Sequence, residues 1–195
     1  MIYVALGITG FVIIHLFDLV SVRKVPIIKP LIWFLGCAIA TFGLINICLT
    51  PEKLNLPWWS LWLGWVGLGI SAGLLFYSLF INLPFRRTYI TKGVGKKLVK
   101  TQFYALVRHP GVMWFILLMV SLILVSRSSL LLIAAPIFIV LDVGLVVMQD
   151  RVFFVRMFAG YRRYQMETPM LVPNKNSIRA FFSSLKNAER QVQRR

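Results

Sequence analysis

Acidic side chains are scarce in this sequence: six Asp and Glu stand against 22 Lys and Arg, and charged residues of both signs fill only 14% of its 195 positions. A soluble domain of this length carries about 25%. With 58% of residues apolar, one small aqueous core is excluded, because it could not bury that surface. Cysteine is nearly absent. Cys37 and Cys48 share one apolar stretch without metal-ligand spacing, which argues against a disulfide framework or an iron–sulfur site. The two histidines, His15 and His109, belong to no metal-binding cluster. The apolar tracts also lack polar–apolar alternation, which excludes the strands of a membrane barrel.

What remains is a set of five apolar stretches: Met1 to Val22, Leu31 to Leu49, Trp58 to about Leu83, one from after Pro110 to Val125, and Leu130 to Met148. A hydrocarbon layer about 30 Å thick takes about 20 apolar residues per helix. Backbone polar groups in lipid must be paired internally, so each stretch is expected to be a helix. The reading is therefore an all-α, polytopic integral membrane protein with about five transmembrane helices. The first stretch is read as a retained helix, being too long and too weakly basic at its front for a cleaved signal.

The net charge of +16 raises nucleic acid as a partner, but the basic residues border the apolar tracts, as they do beside anionic lipid headgroups. Membrane lipids are the expected partner and nucleic acid is not. Arg23, Lys24 and Lys29 follow the first stretch, and Arg86, Arg87, Lys92, Lys96, Lys97, Lys100 and Arg108 follow the third. The intervening loops hold only Lys53, offset by Glu52, and Arg127. By the positive-inside rule the amino terminus faces outside and the basic tail faces the cytoplasm, at the cell inner membrane. Trp58, Trp59 and Trp62 fit an interfacial belt at the outer end of the third helix. From Ser177, expected as an N-cap, the apolar residues Ile178, Phe181, Phe182, Leu185, Ala188 and Val192 recur at helical steps among basic ones. This amphipathic helix would lie in the membrane interface or pack on the protein's own cytoplasmic face.

Polar groups inside the apolar stretches need a partner or a purpose, since a charge at mid-membrane costs about 2.5–3.5 kcal/mol on insertion scales. His15 and Asp18 share a helix face and are expected to bond to each other. Asp142 is either a packing group between helices or part of a cavity wall. The densest polar region is Lys100, Gln102, Tyr104, Arg108 and His109, followed by Pro110-Gly111. Arginine grips carboxylates with two parallel bonds, and histidine donates or accepts near neutral pH, so the group suits an anion or a zwitterionic cofactor. Arg-His-Pro at a helix start would equally serve as a membrane-edge anchor. Gln149-Asp150, Tyr161, Arg162, Arg163 and Tyr164 meet this region if the last two helices form a tight hairpin through Ser126-Arg127-Ser128-Ser129.

The ordered series Leu98-Val99, Gln102-Phe103-Tyr104, Arg108-His109-Pro110, Gln149-Asp150, Tyr161-x-x-Tyr164 and Pro173 resembles the carboxyl-terminal half of a family of membrane methyltransferases. These are typified by isoprenylcysteine carboxyl methyltransferase and the phospholipid N-methyltransferases. The resemblance covers residues 96–174 and implies three parts: helices and a basic loop over 1–95, a methyltransferase-like core over 96–174 and an amphipathic basic tail over 175–195. It implies S-adenosylmethionine as cofactor and a hydrophobic or lipid small molecule as acceptor. Leu98 and Val99 would border the adenine, His109 would hold the methionine end, and Asp150 would face the charged cofactor. Tyr104, Tyr161 and Tyr164 would line the same site, with Arg108 and His109 as the catalytic pair. Three positions depart from the family's pattern: Gln102 stands for a glycine, Val112 for a tyrosine and Gln149 for a glutamate.

A sulfonium methyl is already electrophilic, so methyl transfer mainly asks for alignment, and no metal is required. Two other classes fit parts of the sequence. A heme- or redox-linked protein of the NnrU-like type also carries Arg-His-Pro, and would need His15 or His109 as ligand. A transporter or structural membrane protein would use Asp18 and Asp142 as pathway or packing groups.

Overall fold

The computed structural model of the chain describes residues 1–22, 28–83 and 98–192, with side chains at all of these except 17–22, 28, 29 and 187–192. The expected His15–Asp18 bond, most charges of the first and third loops, the boundary at 95/96, the side chains of the tail from 187 and its last three residues lie outside what is described.

The described chain is helical, with no strand beyond one isolated bridge between Lys53 and Ser128. Helix α1 spans Ile2–Val22 and α2 spans Ile28–Cys48. Helix α3, Trp59–Phe76, runs on through a wider π-turn at Tyr77–Asn82. After the short α4, Phe103–Leu106, come α5, Pro110–Ser126, and α6, Ser129–Met148. A second π-turn, Gln149–Phe153, joins α6 to α7, Phe154–Met157. Helices α8, Tyr161–Glu167, and α9, Lys175–Val192, complete the chain. Three stretches, Pro30–Cys48, Trp59–Asn82 and Ser129–Met157, are long and apolar enough to cross a membrane, while Ile2–Leu16 and Pro110–Ser126 are shorter apolar helices.

Small residues let the helices pair closely. At Gly10 an added Cβ would fall 2.5 Å from the backbone nitrogen of Ala40, so α1 and α2 are in backbone contact there. Helix α3 lies along α5 in the same way: a Cβ at Gly67 would sit 2.5 Å from Ser121 Oγ. The buried apolar cluster, Val4, Ile47, Met119, Leu131, Ala134 and Phe138 among others, ties α1, α2, α5 and α6 together. Phe11 stacks on Phe138 with ring centres 5.6 Å apart. Large apolar side chains face outward elsewhere, including Leu31, Phe34, Trp62, Trp65, Ile133 and Val140. So extensive an exposed apolar surface marks a lipid or partner contact.

The turn between α5 and α6 is as tight as expected. Arg127 takes φ +54°, a left-handed conformation that ends α5, and Ser128 caps α6 by accepting from Leu131 N at 3.1 Å. Ser128 Oγ also donates to Ile47 O at 2.7 Å. Leu54 N donates to Arg127 O at 2.6 Å and Ser129 N to Glu52 O at 3.1 Å, so the α2–α3 and α5–α6 connections are joined at one end of the molecule. The polar cluster that follows occupies the chain segments leading into α5 and out of α6.

Candidate functional site

Pro110 opens α5 where its missing N–H costs nothing, and it keeps His109, the residue before it, out of the helical conformation, at φ −125° and ψ 68°. The two N–H groups before it bond to the segment after α8: Arg108 N to Pro169 O at 2.9 Å and His109 N to Met170 O at 3.2 Å. That pairing aims both side chains at the end of α6. The π-turn there inserts one residue into the helical ladder and leaves Asp150 buried, at 3% exposure.

Asp150 is the centre of the cluster. Arg108 donates to it twice, Nε to Oδ1 and Nη2 to Oδ2, both at 2.8 Å. Tyr161 OH donates to Oδ1 at 2.6 Å, and Gln165 Nε2 donates to Oδ2 at 3.0 Å. His109 Nε2 lies 3.3 Å from Oδ1. A carboxylate offers about four lone-pair sites, so these five contacts saturate it. Because an ionised carboxylate only accepts, Nε2 of His109 carries the proton. Nδ1 then has no hydrogen-bond partner among the described residues.

Arg108 is equally committed. Its Nη1 donates to the carbonyls of Gln165, at 3.0 Å, and Thr168, so four of its five N–H donors are used within the chain. Burial alone would lower the pKa of this guanidinium, but the bonds and charge of Asp150 outweigh it and raise the value. Burial, and then the bond to Asp150, pushes the Tyr161 phenol well above its ordinary range. Burial does the same to Tyr164, whose OH donates to Tyr104 O at 2.5 Å. The Tyr104 OH donates to Ser78 O at 3.3 Å, which carries the network to the π-turn after α3. Phe154 lies nearly parallel to the His109 ring, with centres 5.8 Å apart.

The residues expected at the site thus divide. Arg108, His109, Asp150 and Tyr161 form one bonded cluster, and Tyr164 and Tyr104 adjoin it. Leu98 and Val99 are half-buried and have no polar link to it, leading instead to Lys100, which pairs with Glu167 at 2.9 Å. The arginines between the tyrosines point away: Arg162 is exposed, and Arg163 bonds to Glu167 at 2.8 Å. Asp150 was expected to face a cofactor, whereas here its oxygens are taken by its own chain. Asp142 is half-buried in α6 and forms no hydrogen bond or ion pair among the described residues.

Two members escaped sequence reasoning. Gln165 donates both to the carboxylate and to the backbone oxygen of Asp150, the latter at 2.9 Å. Its signal was available, since Tyr161, Tyr164, Gln165 and Thr168 fall at the spacing of one helix face. Phe154 gave no such signal, because the π-turn shifts its direction. Beside the cluster an open groove of about 480 Å³ is lined by Arg151, Val155, Arg162, Gln165 and Met166. Gln165 belongs to both.

Gln102 takes φ +55° and ψ −127°, a conformation that side chains disfavour and glycine adopts freely. It is held there by its own N–H, which donates to Ser184 Oγ at 2.9 Å, and by Tyr77 OH, which donates to its Oε1 at 2.6 Å. Comparison with protein-family models, with curated proteins and with solved structures finds no match to this chain.

Proposed function

We propose that the chain is a five-span membrane protein that transfers a methyl group from S-adenosylmethionine to a hydrophobic or lipid-like acceptor at the cytoplasmic face of the cell inner membrane. The observation that carries this reading is the meeting of Arg108 and His109 with Asp150 and Tyr161, which the chain separates by about forty to fifty residues. The resemblance requires those positions to share one site. Gln102 adds support: its backbone has the positive φ that accounts for a glycine at the corresponding place in the family's pattern. The joined α2–α3 and α5–α6 connections also fit five spans, which put those two loops on one side, opposite the basic segments.

Two arginines beside the cluster suit the carboxylate end of the cofactor. The groove beside the cluster is shallow and open, and Gln165 connects it to Asp150. Arg151 and Arg162, which have no ion-pair partner among the described residues, match an amino-acid carboxylate. With Nε2 of His109 turned to Asp150, Nδ1 is the ring atom available to the cofactor's amino-acid end. When bound, S-adenosylmethionine supplies a methyl group on a positively charged sulfur, ready for attack. The chain's work is then orientation. Asp150 fixes the ring of His109 and the fork of Arg108 and needs no proton change to do so. Phe154 covers one face of the imidazole and keeps water from it.

A non-enzymatic membrane protein is the second reading, and the saturation of Asp150 favours it, since a structural clamp needs no free valence. Titration calorimetry of the detergent-solubilised chain separates the two. Methyl transfer predicts binding of both S-adenosylmethionine and S-adenosylhomocysteine, weakened at least about tenfold by His109→Ala, the loss of one charged-group hydrogen bond. No heat and no thermal shift with either ligand, in protein shown to be folded, would discard the enzyme.

A further inference from the structure

Helix α9 carries two faces with different environments. Its inner face is engaged: Phe181 stacks on Phe103 with centres 5.6 Å apart, Ser184 accepts from Gln102 N, and Ser177 is buried. Its outer face is not. Ile178 and Phe182, one turn apart, are 41% and 58% exposed. Lys175, Arg179 and Lys186 are also exposed, and with Phe182 they repeat at steps of three and four, so they form one strip beside Ile178. No acidic residue occurs between Lys175 and Lys186.

We propose that this outer face docks on an anionic phospholipid surface. Charge complementarity selects that occupant. Two exposed apolar side chains flanked only by cations suit insertion below a negatively charged headgroup layer, with the lysine and arginine stems reaching back to the phosphates. An acidic protein would match the charges but gives no reason for Phe182 to stand within the cationic strip and Ile178 beside it. The docking is independent of methyl transfer. It has a consequence for the site, because the opposite face of the same helix holds the strained Gln102 turn and the Phe103 ring. A seated helix therefore tethers the start of the polar cluster to the headgroup layer.

The test uses the full chain in lipid nanodiscs, with Cys37 and Cys48 replaced by alanine and an environment-sensitive fluorophore on Phe182→Cys. In discs containing phosphatidylglycerol the emission shifts to the blue and is quenched by spin-labelled lipid; in discs of phosphatidylcholine alone both effects are smaller. The triple change Lys175→Glu, Arg179→Glu, Lys186→Glu lowers the bound-to-free ratio of the helix roughly a hundredfold or more in the anionic discs. Equal quenching in the two lipids, or none in either, overturns the proposal. So does a blue shift that persists in detergent and fades on dilution, which would make a second copy of the chain the occupant.

Discussion

Asp150 accepts from four different side chains, and losing it would strand Arg108 in a buried site. Removing one partner of a buried pair costs about 3–5 kcal/mol, much of it the cost of the charge left behind. Asp150→Ala should therefore lower the thermal midpoint sharply, and Arg108→Met in the same chain should restore part of the loss. Additive losses in that double variant, measured by thermal unfolding in detergent, would show that the two side chains do not act as a unit. Tyr161 offers a pH test. Its folded-state pKa is raised above the ordinary phenol value near 10, by burial first and by Asp150 second. The stability it contributes is complete below that ordinary value and disappears as pH climbs through the raised one. Stability of the parent chain should thus fall more steeply above pH about 10 than that of Tyr161→Phe, as read from the unfolding midpoint across alkaline buffers.

Among the elements, the α1–α2 pair depends on glycine as a place where two backbones touch. The Cβ of Gly10→Ala would meet Ala40's main chain, which cannot turn aside as a side chain can. The expected penalty is about 1–3 kcal/mol, typical of overpacking. Gly69 and Gly73 on α3 have nothing within 4 Å of an added Cβ. Alanine at either should be neutral or should stabilise by up to about 1 kcal/mol through helix propensity. Thermal midpoints of the three single variants check the contrast, and equal effects would remove the close-contact account. The π-turn at Gln149–Phe153 is the element that matters most for the site, because it redirects Asp150 and Phe154 relative to a regular α6.

At the scale of the whole molecule, the joined loops and the polar cluster define two ends. The proposed five spans, oriented by the positive-inside rule, would place Glu52 outside and Met166 inside. Both residues are exposed, so cysteines at these positions, in a chain with Cys37 and Cys48 replaced, should be accessible to label. A membrane-impermeant maleimide added to intact cells should mark position 52 alone, and position 166 only after permeabilisation. Labelling of both from the same side would sink the five-span arrangement.

Much of the fold was legible in the sequence. Long uncharged tracts set α6 to within a residue, α2 to within three, and α3 to within a residue once its π-turn to Asn82 is counted, because lipid and packed helices impose the same demand for apolar length and internal backbone pairing. The chain order of Arg108-His109-Pro110, Asp150 and Tyr161-x-x-Tyr164 likewise marked which side chains belong together. Tertiary structure alone decided what those groups do to one another. Whether Asp150 points to a ligand or is saturated by Arg108, Tyr161, His109 and Gln165 depends on a π-turn and on backbone bonds from Arg108 and His109 to Pro169 and Met170. Apolar length fixes where the long helices lie, whereas the pairing of buried polar groups is set by ångström-scale positions of segments far apart in the chain.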